Sequence, residues 1–219
     1  MGNRNMPATY GLLALLAVIF LYEGGIAGNP SLTRLVSLGA QVNGYVLLDG
    51  QWWRIFTAMF LHFSWIHILF NGWSLYVMGQ LVEPALGTRN YLFVYVLGGV
   101  MGGLLSLALY PLNVVMVGAS GAIFGLLGAT AVIALHSSSG ARGYLLRWLV
   151  SILVLNLGLD FMQPGIGVWD HVGGLIGGFL ATYIVYGSAR GRVVLTYASG
   201  AAYVVLAAFL ITYAQRLAG

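Results

Sequence analysis

The chain has 219 residues, 60% of them hydrophobic and only 6% charged, with a mean hydropathy of +0.91. That usage lies outside the soluble globular range and supplies apolar material for several membrane spans. The formal charge of +4 and the pI near 9.5 come from nine basic residues, all arginine, scattered along the chain with no basic stripe, which argues against a nucleic-acid partner; with no cysteine, disulfides, thiol catalysis and thiolate metal ligands are excluded.

A bilayer core about 30 Å thick takes roughly 20 helical residues. Apolar runs of that length recur at approximately 9–27, 64–82, 90–110, 119–136, 143–162, 170–187 and 194–215, which predicts an all-α polytopic membrane protein with seven spans. The first run follows the short head MGNRNMPAT; no small-residue cleavage site precedes a polar region, so it reads as a retained span rather than a signal sequence. No polar block between spans is long enough to fold by itself, which leaves one polytopic domain.

Arg4, Arg89, Arg142, Arg147, Arg190 and Arg192 fall on one side if the amino terminus is cytoplasmic, and Arg34, Arg54 and Arg216 on the other. The positive-inside rule then predicts a cytoplasmic amino terminus and an outer carboxyl terminus. In that topology the second, fourth and sixth spans all run inward from the outer face. Ser120 opens the fourth span and His171 the sixth, while His67 and Asn71 lie in the first turns of the second; four polar side chains distant in sequence are expected at one depth.

The connection from Gly28 to Ser64 is the one long loop. Asn29 and Pro30 read as a helix start ahead of SLTRLVSL, whose Leu32, Leu35 and Val36 suit a short helix in the interface. Gln51 to His62 carries Trp52, Trp53, Phe56, Met59 and Phe60, expected in the headgroup zone or outer leaflet. Arg54 has two fitting roles, holding phosphate headgroups or locking the loop's own carbonyls, and the second fits better. Farther on, Glu83 is expected to cap or pair locally, with Arg89 as one partner. The third span's Gly98, Gly99, Gly102 and Gly103 suggest close helix packing. His136 ends the fourth span at the negative pole of its helix and is given no catalytic role.

Three constellations carry candidate chemistry. In LHFSWIHILFN, His67 and Asn71 are four apart and share a helix face, so their N–H donors can aim at one point as an oxyanion hole requires. His62 reads instead as part of a structural hydrogen-bond cluster tying the loop to the second span. In GASG, Gly118 and Gly121 flank Ser120; a serine in a glycine-rich span is commonly packing material, but free N–H groups at a helix start can donate to a developing negative oxygen. In DHVGGLIGG, His171 shares a face with Gly174 and Gly178, while Gly121, Gly125 and Gly128 give the fourth span a matching small face. Pressing the two together brings His171 to Ser120, where a neutral imidazole can take the serine proton and return it to the leaving amine. Asp170 is the less fitting third member of a triad, because adjacent helical residues point apart.

Taken together, Trp53 with Arg54, the series His62, His67, Asn71, Glu83 with Gly87, the GASG around Ser120, and His171 with Gly174 and Gly178 resemble the rhomboid family of intramembrane serine proteases over about residues 51–179. The resemblance implies a six-helix rhomboid-like core over 1–192, including the interfacial loop 28–63, with 193–219 as an additional carboxyl-terminal transmembrane helix. It implies a Ser120 and His171 dyad, an oxyanion site from His67, Asn71 and the Ser120 backbone N–H, and cleavage of single-span transmembrane substrates near their outer ends. His62, Gly118, Gly121, Phe124, Gly174 and Gly178 are expected in support. No cofactor and no metal is expected, and the partners are transmembrane protein substrates and the lipid bilayer. A prokaryotic plasma membrane is the expected location. Three departures from the family are expected: Asp170 stands where a small residue is usual, Phe124 where some members have tyrosine, and a large amino-terminal cytoplasmic domain is not expected.

Other classes fit less well. An inactive relative that holds membrane proteins for quality control has no need of both Ser120 and His171. A transporter is expected to show a charged relay and repeated halves, and a zinc peptidase a HExxH helix. A helical substrate hides its peptide bonds, so local unwinding is expected, with entry between the second and fifth spans or past the 51–62 loop.

Overall fold

The computed structural model describes residues 5–162 and 167–218, and the side chains of all of these except 155–162. Arg4 and residues 163–166 of the region resembling the family lie outside the described residues. Each expected span coincides with one helix. Met6 precedes α1 (Pro7–Glu23), which places proline in the first turn, where its missing N–H has no intrahelical role. The others are α5 (Trp65–Leu86), α6 (Thr88–Leu109), α7 (Ser120–Leu135), α8 (Ser139–Met162), α9 (Val168–Ala189) and α10 (Val193–Ala218). Among the described residues α6, α9 and α10 are each long and apolar enough to cross a membrane alone.

The first helix ends earlier than its apolar run: Gly24, at φ 111°, stops it after Glu23, and a 3₁₀ turn occupies 25–27. The core forms where α6, α7 and α9 pack together, with α5 and α8 against α7, and α1 against α5 and α6. The tenth helix lies outside, on α6 and α9, anchored by the Tyr203 hydroxyl donating to the Leu97 carbonyl at 2.8 Å. With 16 residues α7 is short, about 24 Å long. If one end reaches an interface, the other stops inside a hydrocarbon core about 30 Å thick. Ser120 is the first residue at one of those ends.

The long loop folds into α2 (Leu32–Leu38), β1 (Gln41–Val42), α3 (Asn43–Leu47) and α4 (Arg54–Thr57), with a 3₁₀ turn at 58–60. Ser31, rather than Asn29 or Pro30, caps α2, its Oγ accepting from the Arg34 N–H. Leu35 is fully buried and Leu32 exposed, so α2 turns one face to the protein. Trp53 and Phe56 are exposed as the interfacial reading requires, but Met59 is buried beside Gly99 of α6. The Arg54 guanidinium donates to the Val36 and Ala40 carbonyls at 2.8 and 2.9 Å and to Gln51 Oε1 at 2.6 Å. It locks the loop's own backbone, the second of its two expected roles. β1 pairs antiparallel with β2 (Val115–Met116), joining the loop to the approach to Ser120.

Glu83 takes the capping role of the two expected, at the start of the distant α1, and its local partner is Thr88 rather than Arg89. The Glu83 carboxylate accepts from the Ala8 N–H, the Thr9 N–H and the Thr9 hydroxyl at 2.9, 2.9 and 2.6 Å, and from the Thr88 hydroxyl at 2.9 Å. A carboxylate at the open N–H groups of α1 satisfies that helix start and suits its dipole, which a distant arginine would not.

Candidate active site

The site begins with a glycine. Gly118 has φ 132°, a region that L side chains rarely adopt, and a Cβ placed there would stand 2.8 Å from His67 Nε2 and 3.6 Å from Ser120 Oγ. The imidazole tip of His67 and the serine hydroxyl therefore both border the bare face of Gly118. The Gly118 N–H donates to the Ala58 carbonyl at 2.9 Å, which fixes this strap to the interfacial loop.

His67 is held in turn by a capping serine that sequence reasoning missed, although S-x-x-H before an apolar run is its signal. Ser64 Oγ accepts from the His67 N–H at 3.2 Å at the start of α5. One turn on, buried Asn71 gives an Nδ2 hydrogen to the His67 carbonyl at 3.0 Å, and its carboxamide retains a second N–H.

Helix α9 brings in the histidine. His171 is buried, and its ring lies parallel to Phe124 with centroids 4.2 Å apart and 3° between planes. Sequence spacing expected small faces on the fourth and sixth spans, and both are present. A Cβ on Gly174 would overlap the Gly121 carbonyl, and one on Gly178 the Gly125 carbonyl. On the third side, Gly98 of α6 lies against the Cα of Gly125. Backbone approach this close needs glycine on every face involved.

Ser120, His171, His67 and Asn71 all line one cavity of about 700 Å³, together with Gly118 and Phe124. One wall is apolar and comes from Phe70, Trp73 and Val77 of α5 and Trp148 and Ile152 of α8. The four expected polar groups thus open onto a common space. Within reach of an acyl carbonyl they offer a hydroxyl, an imidazole and N–H donors. Among the described residues no group of three or more metal-ligating side chains is assembled.

One expectation needs correction. The ring of His62 makes no hydrogen bond to the second span: both its nitrogens are buried without a hydrogen-bond partner, and the ring stands edge-on to His67 at 5.0 Å. The tie to the loop runs through the backbone, the His62 N–H donating to Glu23 Oε2 of α1 at 3.2 Å. Sequence reasoning named neither Gln41 nor Met116 and weighed Asp170 only as the less fitting member of a triad. Gln41 and Met116, which are cross-strand partners, line the same cavity, and so does Asp170.

Comparison with known proteins agrees with this architecture. Residues 49–188 match the Rhomboid domain. Rhomboid protease GluP of Bacillus subtilis (strain 168) is 34% identical over 179 residues, 82% of this chain and 35% of GluP. YdcA of the same strain, named as a candidate rhomboid protease, is 33% identical over 183 residues, 83% of this chain and 89% of YdcA. Rhomboid-like protease 5 of Toxoplasma gondii is 37% identical over 156 residues, 69% of this chain and 18% of that protein. The chain therefore spans nearly all of one of these relatives and only a minor part of the other two. It is an all-α, multi-pass membrane protein and belongs to the rhomboid family of intramembrane serine proteases.

Proposed function

We propose that the protein is an intramembrane serine endopeptidase that cuts transmembrane segments of single-span proteins near the outer membrane face. One observation carries the reading: Ser120 and His171, on different helices pressed together by glycine contacts, open into one cavity that His67 and Asn71 also line. Ser120 Oγ attacks the scissile carbonyl as His171 accepts its proton. The oxyanion takes N–H donors from His67, from the free hydrogen of Asn71 and from the Ser120 backbone at the open start of α7. Collapse breaks the C–N bond, and His171 returns the proton to the leaving amine. Water, deprotonated by the same imidazole, then releases the acyl group from Ser120.

Helices 1–9 form the catalytic core over residues 1–192, and α10 is an added carboxyl-terminal helix. The amino terminus is cytoplasmic and the carboxyl terminus outside, in a prokaryotic plasma membrane. Substrate enters between α5 and α8, a direction supported by the contribution of both helices to the apolar cavity wall. A substrate helix has to expose a peptide bond, so spans with helix-weakening residues near the cut are preferred.

The test is cleavage of single-span substrates by the protein in lipid vesicles. Cutting lost in Ser120→Ala, resistant to chelators and faster for a Gly-containing span than for poly-Leu, is the expected result. Equal cutting by Ser120→Ala would defeat the reading. An inactive relative that only holds membrane proteins would bind these substrates and leave them whole.

A further inference from the structure

We infer that Glu23 is a positioning residue for the oxyanion site: with His62 it forms a buried, water-binding pair that fixes the short segment cradling the His67 imidazole. The inference rests on the peptidase reading above and extends the oxyanion site to the end of α1.

Glu23 is the last residue of α1, and His62 lies in the interfacial loop outside the spans; both are buried, and the proposed chemistry uses neither. The His62 N–H donates to Glu23 Oε2 at 3.2 Å, while Glu23 Oε1 and both His62 ring nitrogens are buried with no hydrogen-bond partner among the described residues. Three such atoms on two directly hydrogen-bonded residues are costly unless something small pairs with them. Burial, and after it the neighbouring His67, pushes the His62 imidazole down to about 3, so the ring is neutral and carries one donor and one acceptor nitrogen. Water both donates and accepts, and so matches a carboxyl oxygen and either ring nitrogen. A cation is the poorer occupant, since no group of three or more metal-ligating side chains is assembled among the described residues.

From this pair the contacts run to His67, which three consecutive residues hold. His62 stands edge-on to its ring with 5.0 Å between centroids, Phe63 lies 19° from parallel to it at 6.2 Å, and Ser64 Oγ accepts from its N–H at 3.2 Å. The same segment is tied to the end of α1 and the turn after it. Besides the Glu23 contact, the Trp65 backbone N–H donates to Asn29 Oδ1 at 3.2 Å and its indole N–H to the Gly25 carbonyl at 3.0 Å, while the Trp65 ring stands edge-on to Phe20 at 4.9 Å. Of the three hydrogen bonds, the one to Glu23 is the buried one, and it is made by the residue whose ring meets His67.

The imidazole has little freedom to be misplaced. His67 Nε2 stands 2.8 Å from where a Gly118 Cβ would be, and a donor stabilises an oxyanion only when held within hydrogen-bond distance of the point where that charge forms. Loosening residues 62–64 from α1 lets the ring swing off that point. Glu23 therefore acts on the reaction through His62 and His67 rather than by touching the substrate.

The experiment measures kcat and KM for a single-span substrate in lipid vesicles with the native protein, Glu23→Ala, Glu23→Gln, His67→Ala and the double variant Glu23→Ala with His67→Ala. Glu23→Ala is expected to lower kcat about tenfold with KM within about twofold, as for an interaction felt in the transition state. Glu23→Gln keeps an oxygen for the His62 N–H and is expected to stay within about threefold. In the His67→Ala background the Glu23→Ala change is expected to cost less than about twofold, because the donor it positions is gone. An equal loss in both backgrounds, or a loss carried by KM alone, overturns the inference and assigns Glu23 a structural role. Glu23→Asp, whose carboxylate ends one methylene short, takes the place of Glu23→Ala in the same comparison if that variant does not fold. A crystal structure of the native protein is expected to show water within hydrogen-bond distance of Glu23 Oε1 and a His62 ring nitrogen; side-chain partners there in place of water overturn the water-binding pair. Native protein that neither cuts substrate nor labels with a fluorophosphonate at Ser120 defeats the peptidase reading itself.

Discussion

The His171 imidazole lies flat on the Phe124 ring, 3° from parallel and 4.2 Å between centroids, one turn beyond Ser120 on the same helix. The helix that begins with the serine thus also carries the platform that orients the histidine. Phe124→Tyr keeps the ring and is expected to hold kcat within about threefold, whereas Phe124→Ala frees the imidazole and is expected to lose about tenfold or more. Steady-state cleavage with a matched Ser120 labelling assay checks this; equal activity in Phe124→Ala would remove the orienting role.

Gly174 and Gly178 set how closely α9 approaches α7. A methyl group at either position meets a backbone carbonyl, which cannot rotate away as a side chain can. Gly174→Ala and Gly178→Ala are each expected to destabilise the fold by about 1–3 kcal/mol and to separate His171 from Ser120. Gly140→Ala on α8, where nothing lies within 4 Å, serves as the neutral control. Unfolding in mixed micelles gives the stability, and fluorophosphonate reactivity gives the helix separation.

Glu83 ties α1 to α5 and reaches Thr88 at the start of α6. Removing a buried acceptor of this kind leaves the Thr9 and Ala8 donors unmatched. Glu83→Ala is expected to cost about 3 kcal/mol or more and Glu83→Gln less, since one oxygen remains to accept. Arg89→Ala is expected to leave stability nearly unchanged. A large loss in Arg89→Ala would restore the local ion pair that sequence position suggested.

The convergence of Ser120, His67, Asn71 and His171 was legible in sequence because it depends on span order and on glycine spacing along two helices, both of which are local patterns. The partner of Glu83 was not legible. Thr9 is 74 residues away, and only helix packing brings its hydroxyl to the carboxylate. The placement of His62 failed for a related reason: a histidine invites a ring hydrogen bond, but here the backbone N–H makes the contact to Glu23 and the ring is packed edge-on against His67. The argument that adjacent helical residues point apart set Asp170 aside as the less fitting member of a triad. What that argument lacked was Gly102 and Gly121, which create the space the carboxylate enters. Gln41 gave no sign of its place, since its neighbours at 103 and 116 come from distant segments.

The central claim is that Ser120 is a nucleophile activated by His171. Purified protein incubated with a fluorophosphonate and mapped by peptide analysis tests it most directly. Labelling at Ser120 that vanishes in His171→Ala is the predicted result; labelling at another residue, or none in protein shown to be folded, contradicts the account.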